Sequence, residues 1–395
     1  MERLWNRNYI KVMIANFMLY FAFYVLTPLL PIYLNEYFAA SKDTIGMVLS
    51  GYTVAALIIR PFSGYLVDSF DRKHILLIFF SLFAACFIGY FWAGTLLVFA
   101  IVRTLHGAPF GAVTVANSTC AIDVLPSSRR NEGIGYYGLS NNLAMAIAPS
   151  FGLYIYHILQ DFKWLFGVAL ITAFIGLAVL TTLETNSTRR PVQTNKKLSL
   201  DRFFLTRAWL LAINIALFGF CFGVLSNYLA IYSKEKYGVM DGTGTYFMLL
   251  SVGLFLSRLQ GAKALRKGYI TRNTAHGMLL SLLGYTLFVA MPFPYGYYIS
   301  AILIGLGNGH MYPGFLNMFI NVAHHNERGT ANSSILTSWD FGFGIGILAG
   351  GMIAELFDYT AAFWMVAVVN GIGVLLFFTA ARRFFLKHNL NRDVF

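Results

Sequence analysis

The stretch SWDFGFGIGI, Ser338 to Ile347, sets one carboxylate, Asp340, in an otherwise apolar run. In such surroundings an acid is suited to exchanging a proton, because desolvation and a nearby cation pull its proton affinity in opposite directions. Cations are placed in the same way: Arg60 in IIRPFSG, Arg258 in LSRLQGA and Arg103 in RTLHGAPFG. An arginine inside an apolar run rarely faces lipid, so Arg103 is expected either to bind or couple, or to act as a structural hydrogen-bond hub. His106 and His310 each open a His-x-x-Pro pattern, with Pro109 and Pro313 read as in register. Imidazole titrates near physiological pH, so either histidine could carry a proton or hold a substrate; the alternative is a buried structural donor. Asn16, Tyr20 and Tyr24 recur every four residues and share one helix face. With Asn227 and Asn308 they make a candidate substrate wall, or equally a packing stripe. With a single mid-run carboxylate, this set leans towards anionic, zwitterionic or neutral aromatic ligands. It contains no nucleotide loop of the Gly-x4-Gly-Lys-Ser/Thr type, no His-x-x-Glu-His pair and no Gly-x-Ser-x-Gly elbow, so neither a nucleotide-driven pump nor an embedded enzyme is expected. No catalytic residue, metal site or cofactor is assigned.

The elements that must position these residues follow from hydropathy. The 395-residue chain is 57% hydrophobic and 12% charged, about half the charged share of a soluble domain, and its mean hydropathy is +0.63. Apolar runs long enough to cross a bilayer as helices recur throughout. Twelve spans are expected, at 10–34, 44–67, 74–93, 96–122, 133–158, 163–183, 207–232, 243–262, 274–291, 295–322, 329–354 and 360–385. The runs do not alternate as barrel strands do, and only helices or closed barrels satisfy their backbones in lipid. The class is therefore an all-α polytopic membrane protein. The net charge of +12 does not indicate a nucleic-acid partner, because 22 of the 29 Lys and Arg fall at the termini and in every second loop. That asymmetry places both termini in the cytoplasm; the expected location is a cell (inner) membrane. Cys86, Cys120 and Cys221 all lie within spans, which leaves no disulfide framework outside the membrane.

The chain reads as two halves of six helices, 1–185 and 207–395, joined by a polar cytoplasmic linker at 186–206. NNLAMAIAPSFG (141–152) aligns with WDFGFGIGILAG (339–350) at an offset of 198 residues, which sets Asn142 against Asp340 and Arg60 against Arg258. Ala144, Ala146 and Ala148 answer Gly342, Gly344 and Gly346, small residues at alternate positions that allow close helix approach.

GYLVDSFDRK (64–73) resembles the Gly-x-Leu-x-Asp-x-x-Gly-Arg-Lys signature of the major facilitator superfamily, with Asp71 in place of the signature's second glycine. With twelve spans and six-plus-six halves, the resemblance covers the whole chain. RTLHGAPFG resembles the family's arginine motif in the fourth span, and GYYGLSNNLAMAIAPSFG (135–152) the fifth-span motif of its drug:proton antiporters, with Ala148-Pro149 in place of Gly-Pro. The resemblance implies the pseudo-symmetric major facilitator fold and alternating access around a midplane site. It assigns gating to Asp68, Arg72 and Lys73, and makes spans two and eleven neighbours across the halves. On that basis an Arg60–Asp340 ion pair is expected, mirrored by Arg258–Asn142, with proton coupling at Asp340, Arg60 and Arg103. The function it implies is a proton-coupled secondary active transporter, monomeric, that exports small amphipathic molecules or metabolites, with protons and membrane lipids as its other partners. The alternatives are a proton symporter importing a sugar, peptide or organic acid, a lipid-headgroup flippase, and a transport-dead receptor.

Overall fold

Prolines and glycines, more than hydropathy, decide where the helices bend and touch. The computed structural model describes residues 4–126, 130–184, 204–238, 242–323 and 328–390; these form helices and, among the described residues, no strand. In chain order the helices are α1 (Arg7–Tyr24), α2 (Leu30–Phe38), α3 (Lys42–Ser69), α4 (Arg72–Trp92), α5 (Leu96–Val124), α6 (Arg130–Leu159) and α7 (Phe162–Thr181). After the linker region come α8 (Trp209–Tyr237), α9 (Gly242–Arg266), α10 (Ile270–Ala290), α11 (Tyr295–Val322), α12 (Arg328–Leu356), α13 (Tyr359–Leu376) and α14 (Arg382–His388). Each of the twelve expected spans falls on helix. Among the described residues, eight helical stretches are long and apolar enough to cross a membrane on length and composition alone. The helices α9, α10 and α11 are more polar, carrying Arg258, Asn273, His276, Asn308 and His310 among their glycines. The linker expected at 186–206 lies outside the described residues up to position 203, and a short 3-10 turn, Thr206–Ala208, leads into α8.

Side-chain caps fix several starts. Asn6 accepts from the Tyr9 N–H at 2.8 Å, Thr95 from Val98, Asp161 from Lys163 and Asp358 from Ala361, each satisfying an amide that has no partner inside its helix. Two spans differ from the expected unbroken rods. The first is interrupted at 25–29, between α1 and α2, where Pro28 and Pro31 supply no backbone N–H. The last passes through a π turn, Phe377–Ala381, before α14.

The chain divides into two compact units, Met1–Ala40 with Val48–Lys196, and Ser41–Met47 with Lys197–Phe395. In the first, α1 packs on α6 and α7, and α4 on α5 and α7; in the second, α8 packs on α12 and α13, and α10 on α11 and α13. The internal contacts repeat at the 198-residue offset. A Cβ on Gly107 would lie 1.9 Å from the Tyr52 carbonyl oxygen, and one on Gly305 would lie 2.0 Å from that of Leu250. Both pairs bring backbone against backbone, which only glycine allows.

That register details one expectation and corrects another. Gly342 and Gly346 of α12 abut the carbonyls of Ala216 and Phe220 on α8, Gly344 between them is also buried, and Ala144 and Ala148 are fully buried on α6. A helix face repeats at i and i+4, so Ala146 turns away and is only half-buried. The two His-x-x-Pro patterns are also not equivalent. They are offset by 204 residues (His106 to His310), so the true counterpart of His106 is Ile304 and that of His310 is Ala112.

Candidate functional site

The first unit contains a buried polar cluster built by α3, α4 and α5. Arg103 projects from α5, about 10 Å along the helix from Leu96. Its guanidinium carbon lies 4.0 Å from the centre of the Tyr52 ring, a cation–π contact, and its Nη1 donates to the Tyr90 hydroxyl at 3.3 Å. The Tyr90 oxygen is in turn 2.9 Å from Nδ1 of His106, one helical turn below Arg103. Phe83, Phe87, Tyr52 and Tyr90 surround the imidazole with centroid distances of 4.6–5.6 Å. Arg103 is 4% exposed and His106 1%. Sequence reasoning selected both residues for binding, and the structure brings them together through Tyr90 and Tyr52, which it had missed. The helices approach closely enough for this because α5 presents Gly107 and Gly111 to the α3 backbone at Tyr52 and Ala56.

Asn16 belongs to a second network in the same unit. Its Nδ2 donates to Ser140 Oγ at 2.7 Å, while its Oδ1 accepts from Tyr137 OH at 2.7 Å and from Asn117 Nδ2 at 3.2 Å. These bonds link α1, α5 and α6 and use both ends of the Asn16 amide. In this arrangement it braces three helices, so the packing alternative to a substrate wall has a structural basis. Tyr20 and Tyr24, half-buried one turn apart, have ring centres 6.1 Å apart, and Tyr20 meets Phe110 edge-on at 5.9 Å. Phe110 also lies 5.3 Å from Tyr52, so an aromatic path joins the α1 tyrosines to the Arg103 cluster.

In the second unit, the Nδ2 of Asn227 donates back to the Gly223 carbonyl of its own helix at 2.9 Å. His310 is tied to α10: its Nδ1 lies 2.9 Å from Asn273 Oδ1, and Asn273 Nδ2 donates to the His310 carbonyl at 2.9 Å. Asn308 is buried two residues earlier on α11. Asp340 is half-buried on α12, next to the Trp339 carbonyl against which Gly219 of α8 packs. Arg258 is half-buried on α9, whereas Arg60 on α3 and Asn142 on α6 belong to the first unit, one buried and the other half-buried.

The signature loop between α3 and α4 has a definite local structure. Asp71, the departure from the signature, is the N-cap of α4: its Oδ1 accepts from the His74 amide at 2.9 Å. That backbone hydrogen bond is the main reason its carboxyl is held below the usual carboxylate range. Arg72 Nη1 donates to both oxygens of Asp123, near the end of α5, at 2.6 and 2.5 Å. Lys73 Nζ donates to the Leu183 carbonyl at 2.6 Å, just beyond α7, and Lys11 reaches the Thr182 carbonyl nearby. Cations at the carboxyl end of α7 satisfy carbonyls that have no intrahelical donor. The side chain of Asp68 lies outside the described residues.

Sequence reasoning therefore missed Tyr52, Tyr90, Asn117, Tyr137, Ser140 and Asp123. A usable signal was present for the first two. At the 198-residue offset, Tyr52, Tyr90, Arg103 and His106 correspond to Leu250, Phe288, Ala301 and Ile304, so polarity is lost at four positions together.

Comparison with known proteins agrees with this architecture. Quinolone resistance protein NorA of Staphylococcus aureus is 23% identical over 384 residues, covering 94% of this chain and 96% of that protein. The staphylopine export protein of the same species is 21% identical over 379 residues, with 93% and 94% covered. Among solved structures, the peptide transporter POT in complex with sulfate shares the fold with a TM-score of 0.78 at 14% identity, covering 97% of this chain and 96% of that one. The sequence matches the Major Facilitator Superfamily over residues 12–276 and 274–392. With twelve helical spans in two repeating sets, this multi-pass membrane chain belongs to the Major Facilitator Superfamily of transporters and resembles its drug-efflux branch.

Proposed function

We propose that this chain is a proton-coupled secondary active transporter that exports small amphipathic molecules or metabolites by alternating access, from a cell membrane with both termini in the cytoplasm. The observation that carries export is the likeness, over nearly the whole chain, to a quinolone resistance protein and to an export protein. Proton coupling is supported by Asp340, a half-buried carboxylate in the apolar run of α12. In this reading Asp340 exchanges the proton, Arg60 is the cation that answers it, and Arg258 and Asn142 are the repeat-related pair. Arg72 and Lys73, with Asp68, belong to the gate; their bonds to Asp123 and Leu183 hold α4, α5 and the end of α7 together as one moving body. The substrate meets Arg103 and His106 in the first unit, with Tyr20 and Tyr24 nearby, and Asn308 and His310 in the second.

The test is flux in proteoliposomes containing the full chain, with an imposed pH gradient and a fluorescent amphipathic probe such as a quinolone. Export requires probe movement against its gradient when the opposite compartment is acid, and proton movement when probe is added. Flux of probe and protons in the same direction would instead identify a symporter. No gradient-dependent flux with any bound probe would identify a receptor.

A further inference from the structure

We propose that the Arg103 cluster is an anion subsite that receives the carboxylate of the transported molecule, which makes the preferred substrates carboxylate-bearing aromatic amphiphiles. The proposal rests on the transporter reading above and adds the charge of the cargo.

Three buried polar atoms in the cluster have no hydrogen-bond partner: Arg103 Nε, His106 Nε2 and the Tyr52 hydroxyl. Arg103 makes one hydrogen bond, to a neutral phenol, and faces no acidic side chain among the described residues. A cation buried in this way is costly without a counter-charge, and so are orphaned donors. Together these atoms offer a fork of guanidinium donors, a hydroxyl and an imidazole edge to a missing acceptor. A carboxylate matches that set, because arginine binds it with two parallel charge-assisted hydrogen bonds.

The fold itself does not call for the cluster. Its counterparts in the second unit, Leu250, Phe288, Ala301 and Ile304, are all buried and apolar, and Gly305 approaches Leu250 as Gly107 approaches Tyr52. There the Phe288 and Tyr297 rings are 5.8 Å apart, where Tyr90 and Phe99 are 5.2 Å apart in the first unit. The scaffold therefore packs well with hydrocarbon at these four positions. The polar set is an addition to one half only, and three of its atoms have no hydrogen-bond partner there. The surrounding rings of Tyr52, Phe83, Phe87 and Phe110 suit an aromatic body beside the carboxylate. Binding would require the guanidinium to leave the Tyr52 ring face and exchange a cation–π contact for a stronger charge-assisted pair.

The experiment uses purified full-length protein and matched acid–amide pairs: benzoate with benzamide, salicylate with salicylamide, indole-3-acetate with indole-3-acetamide. Binding is read from the rise in the thermal midpoint, since a ligand that binds only the folded state raises apparent stability. At least one acid is expected to stabilise the wild type saturably while its amide does not. Arg103→Gln should weaken that acid at least tenfold, about 1.4 kcal/mol. Arg103→Lys should retain part of the affinity, and Tyr52→Phe should lose less than Arg103→Gln. Arg103→Gln removes a buried charge and leaves the Tyr90 hydroxyl its bond to His106, so the variant is expected to fold; an unchanged elution profile and ligand-free midpoint verify this, and the acid preference of Tyr52→Phe provides an independent readout. The proposal is overturned if no acid binds, if acid and amide bind alike, or if Arg103→Gln binds the acid as the wild type does. Loss of the transporter reading would show separately, as absent flux in proteoliposomes while the acid preference persists.

Discussion

The α8–α12 seam provides a demanding test of the architecture through Gly342→Ala. A Cβ on Gly342 would sit 1.8 Å from the carbonyl oxygen of Ala216 and 2.6 Å from its carbon, whereas ordinary contact begins near 3.4 Å. Both obstructing atoms are backbone, so no side chain can swing aside, and the helices must part locally by the difference, about 1.6 Å. Gly346, Gly219 and Gly223, whose Cβ positions lie 2.2–2.3 Å from carbonyls of the facing helix, would lose their contacts with it. Overpacking of this kind costs about 1–3 kcal/mol, more than the roughly 1 kcal/mol that alanine gains over glycine in helix propensity. Gly371→Ala on α13 is the matched control: its Cβ would meet only a Leu282 methyl at 3.7 Å, so the propensity gain should stand alone. Thermal unfolding can be followed with a thiol-reactive dye, because Cys86, Cys120 and Cys221 are free and sit within helices. For a unit of this size, Gly342→Ala should lower the midpoint by a few to about 10 °C, and Gly371→Ala should leave it unchanged or raise it. A Gly342→Ala protein as stable as the wild type would refute the backbone-to-backbone seam, and with it the positioning of Trp339 and Asp340 on α12.

Three further outcomes are expected. Asp340→Asn should abolish the dependence of substrate flux on an imposed pH gradient while leaving downhill exchange, measured in the same proteoliposomes; unchanged coupling would remove Asp340 from the proton path. In a double-mutant cycle on thermal stability, Arg72→Ala and Asp123→Ala should show a coupling of up to about 1 kcal/mol, because each partner is only about one-third exposed yet still screened by water; additive effects would show that the pair is not formed in solution. Asp71 has its carboxyl held below the unfolded value of about 3.9, so the stability it contributes is complete above that value and is lost as pH falls through the lower folded one. Asp71→Asn keeps a capping oxygen but cannot titrate, so it should flatten the acid limb of the stability profile with little change at pH 7.

The helices are legible in the sequence because a backbone in lipid has to satisfy itself, which makes hydropathy along the chain almost a direct record of the spans. The break at 25–29 was legible as well, in Pro28 and Pro31, but hydropathy does not register a missing amide and the span read as continuous. Arg103 and His106 were each legible as candidates, the one as a cation in an apolar run and the other from its His-x-x-Pro pattern, but not their link through Tyr90. Tyr90 and Tyr52 were not, because nothing local distinguishes them among 23 tyrosines. Reading Pro109 and Pro313 as equivalents failed for a similar reason: a four-residue pattern is too short to establish register, whereas the Gly107–Tyr52 and Gly305–Leu250 contacts establish it unambiguously.

Amino-acid order alone was enough for the all-α membrane class, the two sets of six spans, the 198-residue repeat and the superfamily, since each depends on composition or on spacing within one stretch. Which polar groups meet was settled by helix rotation and crossing. Asn117 finds Asn16 across 101 residues and Arg72 finds Asp123 across 51. A side chain's partner in a bundle is a property of that rotation and crossing, and it is not recorded at any one position in the chain.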